Sequence, residues 1–291
     1  MNTSPLDQNI LGVMTKSEFD KHALIMPPDK DLHDFDKRTT RIVVDSLFRD
    51  PQYKNQNDYY FIFDDDINDV VSAKLLCIDI PFSSYLINGF FNSIYVSFDG
   101  TTEVVVGLTE GNYDKAGLAS MMQTRLNAVI ANKQFTVTYS TLLDKFEFGA
   151  NQSFYLMFAG KKNSLEDLLG FRKQNYESVN NTITAPFRCN FDFNNYMVMC
   201  IDQFDANKSN NKPLNKSFAV INKTFSDLNT YTDIDIVKSF NPPLARLAKI
   251  HVTFFDRYGN PYDFQNMDHR FEIMLQSLKQ RRKYHGIFQY K

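Results

Sequence analysis

An all-β fold is what this sequence predicts, and three observations carry that expectation. About twelve short apolar runs alternate in polarity and are bounded by Gly, Pro, Asn and Asp clusters, the pattern of half-buried strands between turns. The chain holds 27 Phe and 15 Tyr with no Trp, and aromatic side chains favour strands and interfaces over helices. Only one long segment repeats at helical spacing. Many short strands with few helices mean a sandwich or a barrel. At 291 residues the chain is one large or two ordinary domains, long enough for a sizeable core.

The longest apolar stretch, residues 68–88 (NDVVSAKLLCIDIPFSSYLIN), organises the reading. Val71, Ala73, Leu75 and Cys77 alternate with Ser72 and Lys74, a period-two strand. From Leu76 the parity changes, and Leu76, Ile78, Ile80 and Phe82 become the apolar set. A bulge or bend near Leu76 and Cys77, or burial of both faces, accounts for this. Either the strand leaves its own sheet to pack elsewhere, or it is a central strand covered on both sides. Pro81 ends the ladder by removing a donor.

Taken in order, residues 1–39 are polar and turn-rich, with isolated Ile10, Leu11, Val13, Leu24, Ile25 and Met26, and read as an extended N-terminal arm. Such an arm takes shape against a neighbouring protein or against its own domain. A domain over 40–278 follows, then a basic C-terminal tail over 279–291. Residues 41–47 (RIVVDSL) and 59–64 (YYFIFD) are two strands, and Asp64, Asp65, Asp66 and Asp69 form an acidic turn after them. Residues 94–98 and 103–108 form a hairpin across Asp99-Gly100. The helix lies near 112–131, capped by Asn112 or Asp114, with Leu118, Met121, Met122, Leu126, Val129 and Ile130 on one face and Ser120, Gln123, Thr124 and Asn127 turned away. Residues 135–140 and 145–148 make a second hairpin around the 142–144 turn. Residues 154–158 (FYLMF) read as an internal strand. Ser164 to Asp167 resembles a capping box opening a helical turn that Gly170 stops. Residues 172–195 read as a long loop with a strand near 187–193. Residues 196–201 and 218–221 are buried strands, a further loop runs to Pro242-Pro243, and a closing pair has Ala248, Ile250, Val252 and Phe254, then Phe271, Ile273 and Leu275, on its apolar faces.

Composition excludes more chemistry than it suggests. Net charge is -2, so no global field draws nucleic acid or an anionic membrane. Cys77, Cys189 and Cys200 are odd in number and widely spaced, which fits reduced thiols packed as small hydrophobes. No signal-type N-terminus and no apolar run of about 20 residues occurs, so neither classical secretion nor a transmembrane span is expected, and the Asn-x-Ser/Thr triplets starting at Asn151, Asn180, Asn207, Asn215 and Asn222 should stay unmodified. Nucleotide-binding, zincin and α/β-hydrolase motifs are absent. Of His22, His33, His251, His269 and His285, only His251 and His269 lie near expected strands, where they are exposed-face residues or share a metal with Asp256 or Asp268. The acidic turn is a solvated connection or a non-EF-hand Ca²⁺ site. The tail residues Lys279, Arg281, Arg282 and Lys283 beside Tyr284, Phe288 and Tyr290 dock on an acidic or hydrophobic neighbour in preference to nucleic acid. No catalytic residue, no cofactor, no metal and no small-molecule substrate is assigned, and the chain is expected not to be an enzyme.

Several segments together resemble one family. Val44-Asp45-Ser46-Leu47-Phe48-Arg49-Asp50 is similar to a D-S-x-x-R-D start in capsid proteins of nucleocytoplasmic large DNA viruses, the giant viruses. The order then continues through Val71-Ser72-Ala73-Lys74-Leu75, Ile80-Pro81, Tyr85-Leu86-Ile87-Asn88, Glu110-Gly111-Asn112-Tyr113, Phe135-Thr136-Val137-Thr138-Tyr139, Phe255-Asp256-Arg257-Tyr258-Gly259-Asn260 and Asp263-Phe264, covering roughly residues 41–275. The resemblance implies a jelly-roll β-sandwich with one helical insertion, a minor capsid or vertex (penton) protein of the virion made in the host cytoplasm. It implies as partners the major capsid protein, other minor capsid proteins and, at a vertex, further copies of itself in a pentamer. The arm and tail lie outside the family pattern. A non-catalytic carbohydrate- or receptor-binding sandwich is the alternative, and its signature would be an exposed aromatic platform.

Overall fold

A computed structural model describes residues 37–130, 132–223 and 228–279. Of the expected arm and tail, residues 1–36 and 280–291 therefore lie outside the described residues. Residues 37–39, placed by the sequence in the arm, begin a strand, because Lys37 to Thr39 pair with Leu278 to Gln276.

Among the described residues, thirteen strands run in the order β1 (Lys37–Asp45), β2 (Asp58–Pro81), β3 (Ser93–Ser97), β4 (Glu103–Gly107), β5 (Phe135–Ser140), β6 (Lys145–Ala150), β7 (Tyr155–Met157), β8 (Asn175–Glu177), β9 (Thr182–Thr184), β10 (Tyr196–Ile201), β11 (Ala219–Asn222), β12 (Leu228–Asp256) and β13 (Arg270–Leu278). They form sheets ordered β1-β13-β2-β12-β10-β11, β4-β3-β7-β8 and β5-β6-β9, with antiparallel pairing throughout. The fold is all-β.

The parity change in β2 has a clear cause. Against β13, Cys77 pairs with Glu272 and Leu75 with Ile273, so Leu76 is an extra residue. A second shift leaves Val71 extra between Ser72 and Val70. The buried set consequently steps through Val70, Ala73, Leu75, Ile78 and Ile80. Each bulge returns the same face to the core, so β2 from Val70 onward stays between β12 and β13.

Two expectations change at the other end of β2. Residues 59–64 are no separate strand, and Asp64, Asp65 and Asp66 are exposed strand residues instead of a turn. Their side chains point to water, which lets one strand carry three acids. Likewise β12 runs through Pro242-Pro243, where the sequence predicts a loop. The Phe240 to Pro243 stretch is a bulge between the Ser239–Ser72 and Leu244–Val70 pairs, a place where a strand tolerates a residue without a donor.

The β2–β12 ribbon folds back on itself. Twenty residues separate Tyr59 from Asp79, about 66 Å if β2 were straight. Yet Tyr59 Oη lies 2.9 Å from His269 Nε2, and the next residue, Arg270, pairs with Asp79. The fold-back falls near Asp69, whose φ is 54°, next to the Leu244–Val70 pair that closes the Phe240 to Pro243 bulge. Counting each half separately gives eight strand segments. In chain order they form one layer, 1-8-3-6 (β1, β13, late β2, early β12), and a second, 2-7-4-5 (early β2, late β12, β10, β11). This is the double Greek-key order of a jelly roll. One apolar cluster lies between the layers, with Ile42 and Val44 of β1, Leu75 of β2, Met197 and Met199 of β10, Ile250 and Phe254 of β12 and Phe271, Ile273 and Leu275 of β13.

Residues 82–195 enter between the third and fourth segments and build a second apolar cluster, rich in Phe135, Phe146, Phe148, Phe154, Phe158 and Phe171. The expected hairpins are both present, β3–β4 and β5–β6. Asp99 ties the first turn, accepting from Thr101 N and Thr102 N at 2.8 and 2.6 Å. The helix is Lys115–Val129, capped by Asp114, which accepts from Gly117 N, and it lies within a β-rich insert instead of forming one alone. It buries Leu118, Ala119, Met122 and Leu126, while Val129 is exposed. Gln123 and Asn127, expected to turn away, instead serve the edge of β5. Gln123 Oε1 accepts from Val137 N at 3.0 Å, and Asn127 both accepts from Phe135 N at 2.7 Å and donates to Phe135 O at 3.0 Å. Side-chain amides here stand where a further strand would otherwise pair.

Two further expectations are corrected. No capping box forms at Ser164: the four-residue helix Glu166–Leu169 has Leu165 at its cap with no side-chain bond, though Gly170 does stop it in the left-handed region at φ 84°. The strands of the 172–195 segment are β8 and β9, and 187–193 is irregular; the backbone there is spent on Phe187 N to Gly170 O and Cys189 N to Asp144 O.

Candidate interaction surfaces

One flank of the sandwich is open. There β1 edges the first layer and early β2 edges the second, and among the described residues no strand pairs with the outer side of either. Grooves of about 920 Å³ and 570 Å³ run between them. The larger is lined by Arg38, Arg41, Asp64 to Asp66 and Leu278 among others, the smaller by Val43, Phe48, Tyr60 and Ile62 among others. Phe48 is 81% exposed and Ile62 61% exposed. Unpaired backbone beside apolar side chains is what an added strand or a partner's edge takes. Two ion pairs bound the flank: Arg41 Nε donates to Glu272 Oε2 at 2.6 Å, and Arg246 Nε donates to Asp66 Oδ2 at 2.6 Å. Both ends of the described chain leave from this place, since Lys37 pairs with Leu278 and Lys279 lines the larger groove.

The D-S-x-x-R-D segment holds the base of the flank. Asp45 accepts from Leu47 N at 3.0 Å to cap a 3₁₀ turn. Ser46 Oγ donates to Asp268 Oδ1 at 2.7 Å and accepts from His269 N at 2.9 Å. Arg49 spreads its donors over Ser46 O, Tyr53 O and Asp268 at 2.7 to 3.2 Å, and Asp50 accepts from Gln52 N at 2.9 Å. These residues fix a loop between layers. Beneath them His269 is buried among Phe254, Phe264 and Phe271. Burial, and then the charge of Arg49, bring its pKa down to about 3, so the ring is neutral.

His251 lies apart from His269. It stacks on Tyr60 at 4.2 Å, with Asp58 2.7 Å from Nε2 and Asp202 3.2 Å from Nδ1, so the sequence's shared-metal pairing does not form. Asp256 and Asp268 are likewise engaged elsewhere: Asp256 accepts from Tyr258 N and Asn260 N at 2.8 Å, holding the 257–260 turn. Among the described residues no group of three or more His, Cys, Asp or Glu side chains is arranged to hold a metal ion. The three cysteines are free. Burial pushes the thiols of Cys189 and Cys200 up to about 11, so neither is a thiolate near neutral pH. The tail residues beyond Lys279 lie outside the described residues, as do His22, His33 and His285. Among the described residues no helix is long and apolar enough to cross a membrane.

A second surface, unread in the sequence, is the tip of the insert. Leu142 is 91% exposed, Leu143 55% and Phe187 47%. The β5–β6 turn and the 186–189 segment lie side by side, because Cys189 N donates to Asp144 O at 2.8 Å and Lys145 Nζ to Pro186 O at 2.8 Å. Asp144 gathers the joint: it accepts from Lys115 at 2.6 Å, Tyr139 at 2.5 Å and Arg188 at 3.0 Å. These partners, Lys115 first, hold its carboxyl far below the usual range. The signal that could have found this tip is the pair of leucines in a turn, a position that polar residues normally take.

No protein-family model matches the chain, and no curated protein matches it. Among solved structures, the chain is similar to the crystal structure of the selenomethionine-labelled mavirus penton protein, at 10% identity and a TM-score of 0.41, over 83% of this chain and 99% of that one.

Proposed function

We propose that this protein is a structural component of an icosahedral large DNA virus capsid, a minor capsid protein that cements or underlies major capsid capsomers, with the vertex position as the other place in the same shell. It acts by association and needs no catalytic residue. The observation that carries this reading is the open flank, where two sheet edges, exposed Phe48 and Ile62, and both ends of the described chain come together. The ordered set of segments resembling large DNA virus capsid proteins supports it, and the D-S-x-x-R-D segment among them builds the base of that same flank. In the shell, the flank is covered by neighbouring subunits over more than about 1,000 Å² in total.

Co-expression with a major capsid protein tests the proposal. Co-assembly is expected, and Ile62→Asp with Phe48→Asp should abolish it while leaving the melting temperature of the isolated chain unchanged. A monodisperse monomer indifferent to that partner, or co-assembly unaffected by both charges, would overturn it.

A further inference from the structure

We infer that the tip of the insert is a peripheral membrane-docking site that takes an anionic lipid surface. The inference stands on the tip alone and does not depend on the assembly reading. Three apolar side chains, Leu142, Leu143 and Phe187, project where the chain turns. Around them are cations. Arg172 lies 4.6 Å over the Phe187 ring, Lys145 is tied to Pro186 O, and Arg188 borders Asp144 with its side chain 78% exposed. In residues 141–145 (TLLDK) and 184–188 (TAPFR) the only acid is Asp144, and Lys115 already balances it at 2.6 Å. Arg188 shares Asp144 at 3.0 Å and Glu147 accepts from Thr184 at 2.8 Å, so Lys115, Lys145, Arg172 and Arg188 still outnumber the two acids beside them.

Apolar residues at a turn, ringed by Lys and Arg, match the depth profile of a bilayer surface. The leucines enter the acyl boundary and the cations meet the anionic headgroups. A membrane is favoured over an acidic protein because the tip protrudes, with Leu142 91% exposed at its turn. A lipid surface receives a protrusion without a complementary shape, whereas a protein partner must supply a fitted pocket. The tip is also held rigid: Asp144 joins the helix start, β5 and the 188–189 segment, so docking orders little further chain.

The absence of Trp from the sequence makes the test direct. Leu142→Trp in the full chain places a single reporter at the tip. With vesicles of phosphatidylcholine containing phosphatidylserine, its emission should move to shorter wavelength and be quenched by brominated acyl chains. Salt should reverse this, and pure phosphatidylcholine should give much less. Leu142→Asp with Leu143→Asp should lower the vesicle-bound fraction about tenfold or more. Both positions are exposed, so folding is expected to be intact by circular dichroism, and Leu142→Ser with Leu143→Ser replaces the pair if it is not. An unshifted reporter overturns the inference. So does vesicle binding that survives the double substitution, which would place it elsewhere, as in the basic 280–291 segment, and so does capture by a polyglutamate peptide with none by vesicles.

Discussion

The jelly-roll body and its insert solve the same problem, burying aromatic and branched side chains between layers, by opposite routes. In the insert two hairpins are local, with Tyr139 facing Phe146 and Tyr95 facing Val105, and its longer pairings, such as Val96 with Leu156, stay within the insert. In the body Val44 faces Phe271 and Phe61 faces Ile250, and those pairs form only once the chain from both sides of the insert has come together. Loop closure therefore weighs more on the body than on the insert. A segment of local hairpins with its own core can sit inside a fold of long-range pairings without supplying any strand to it.

The contrast can be broken or sharpened by substitution. Phe271→Ala, in the fully buried middle of the body, should cost about 3–5 kcal/mol and lower the denaturation midpoint of the 40–81 and 196–278 strands. If hydrogen exchange shows the insert amides still protected when the body opens, the two cores are separate cooperative units. Loss of both together would show that the seam, where Tyr258 Oη donates to Asp167 at 2.9 Å and Ser83 Oγ to Phe264 O at 2.7 Å, couples them.

Acid should act on the body first. His269 stays neutral when folded, down to about 3, while the unfolded ring takes a proton near its ordinary 6.5. Stability is thus full above about pH 6.5 and is lost as pH falls from there towards 3, by about 1.4 kcal/mol per pH unit at most. Urea midpoints at a series of pH values should show this slope, and His269→Phe should flatten it. An unchanged slope would assign the acid sensitivity elsewhere.

Gly170→Ala should strike the insert alone. Its φ is 84°, and an added Cβ would lie 2.4 Å from Phe187 O, so about 1–3 kcal/mol is expected from backbone strain, read as lost protection in β6 and β9 with β13 unaffected. Smallest is Asn127→Ala, which removes both bonds to the β5 edge for about 1–2 kcal/mol and should leave the body's melting behaviour untouched.

The same contrast explains what the sequence revealed. Asp99-Gly100 between two apolar runs announces a hairpin because every partner lies within a few residues, and Phe271, Ile273 and Leu275 announce a one-sided strand for the same reason. The parity change at Leu76 was legible as a bulge because a bulge leaves a count of residues behind. The fold-back at Asp69 was not. It rests on Tyr59 reaching His269, and nothing near Asp69 distinguishes a strand that bends from a strand that ends. Pro242-Pro243 misled for a related reason, since only the partner strand reveals that the chain resumes pairing beyond it. The flank follows from the fold-back and was equally hidden. The leucines of the tip were visible all along, but a turn is read for its Gly and Asp before its apolar residues are noticed.

The pairing of Lys37 with Leu278 has an engineering consequence. Facing residues on antiparallel strands stand about 5 Å apart, so a bridge of a few residues in place of both end segments would close the polypeptide into a ring. Such a ring keeps every strand and gives up only what precedes the first and follows the last. Whatever assembly behaviour it retains belongs to the sandwich, and whatever it loses belongs to the ends.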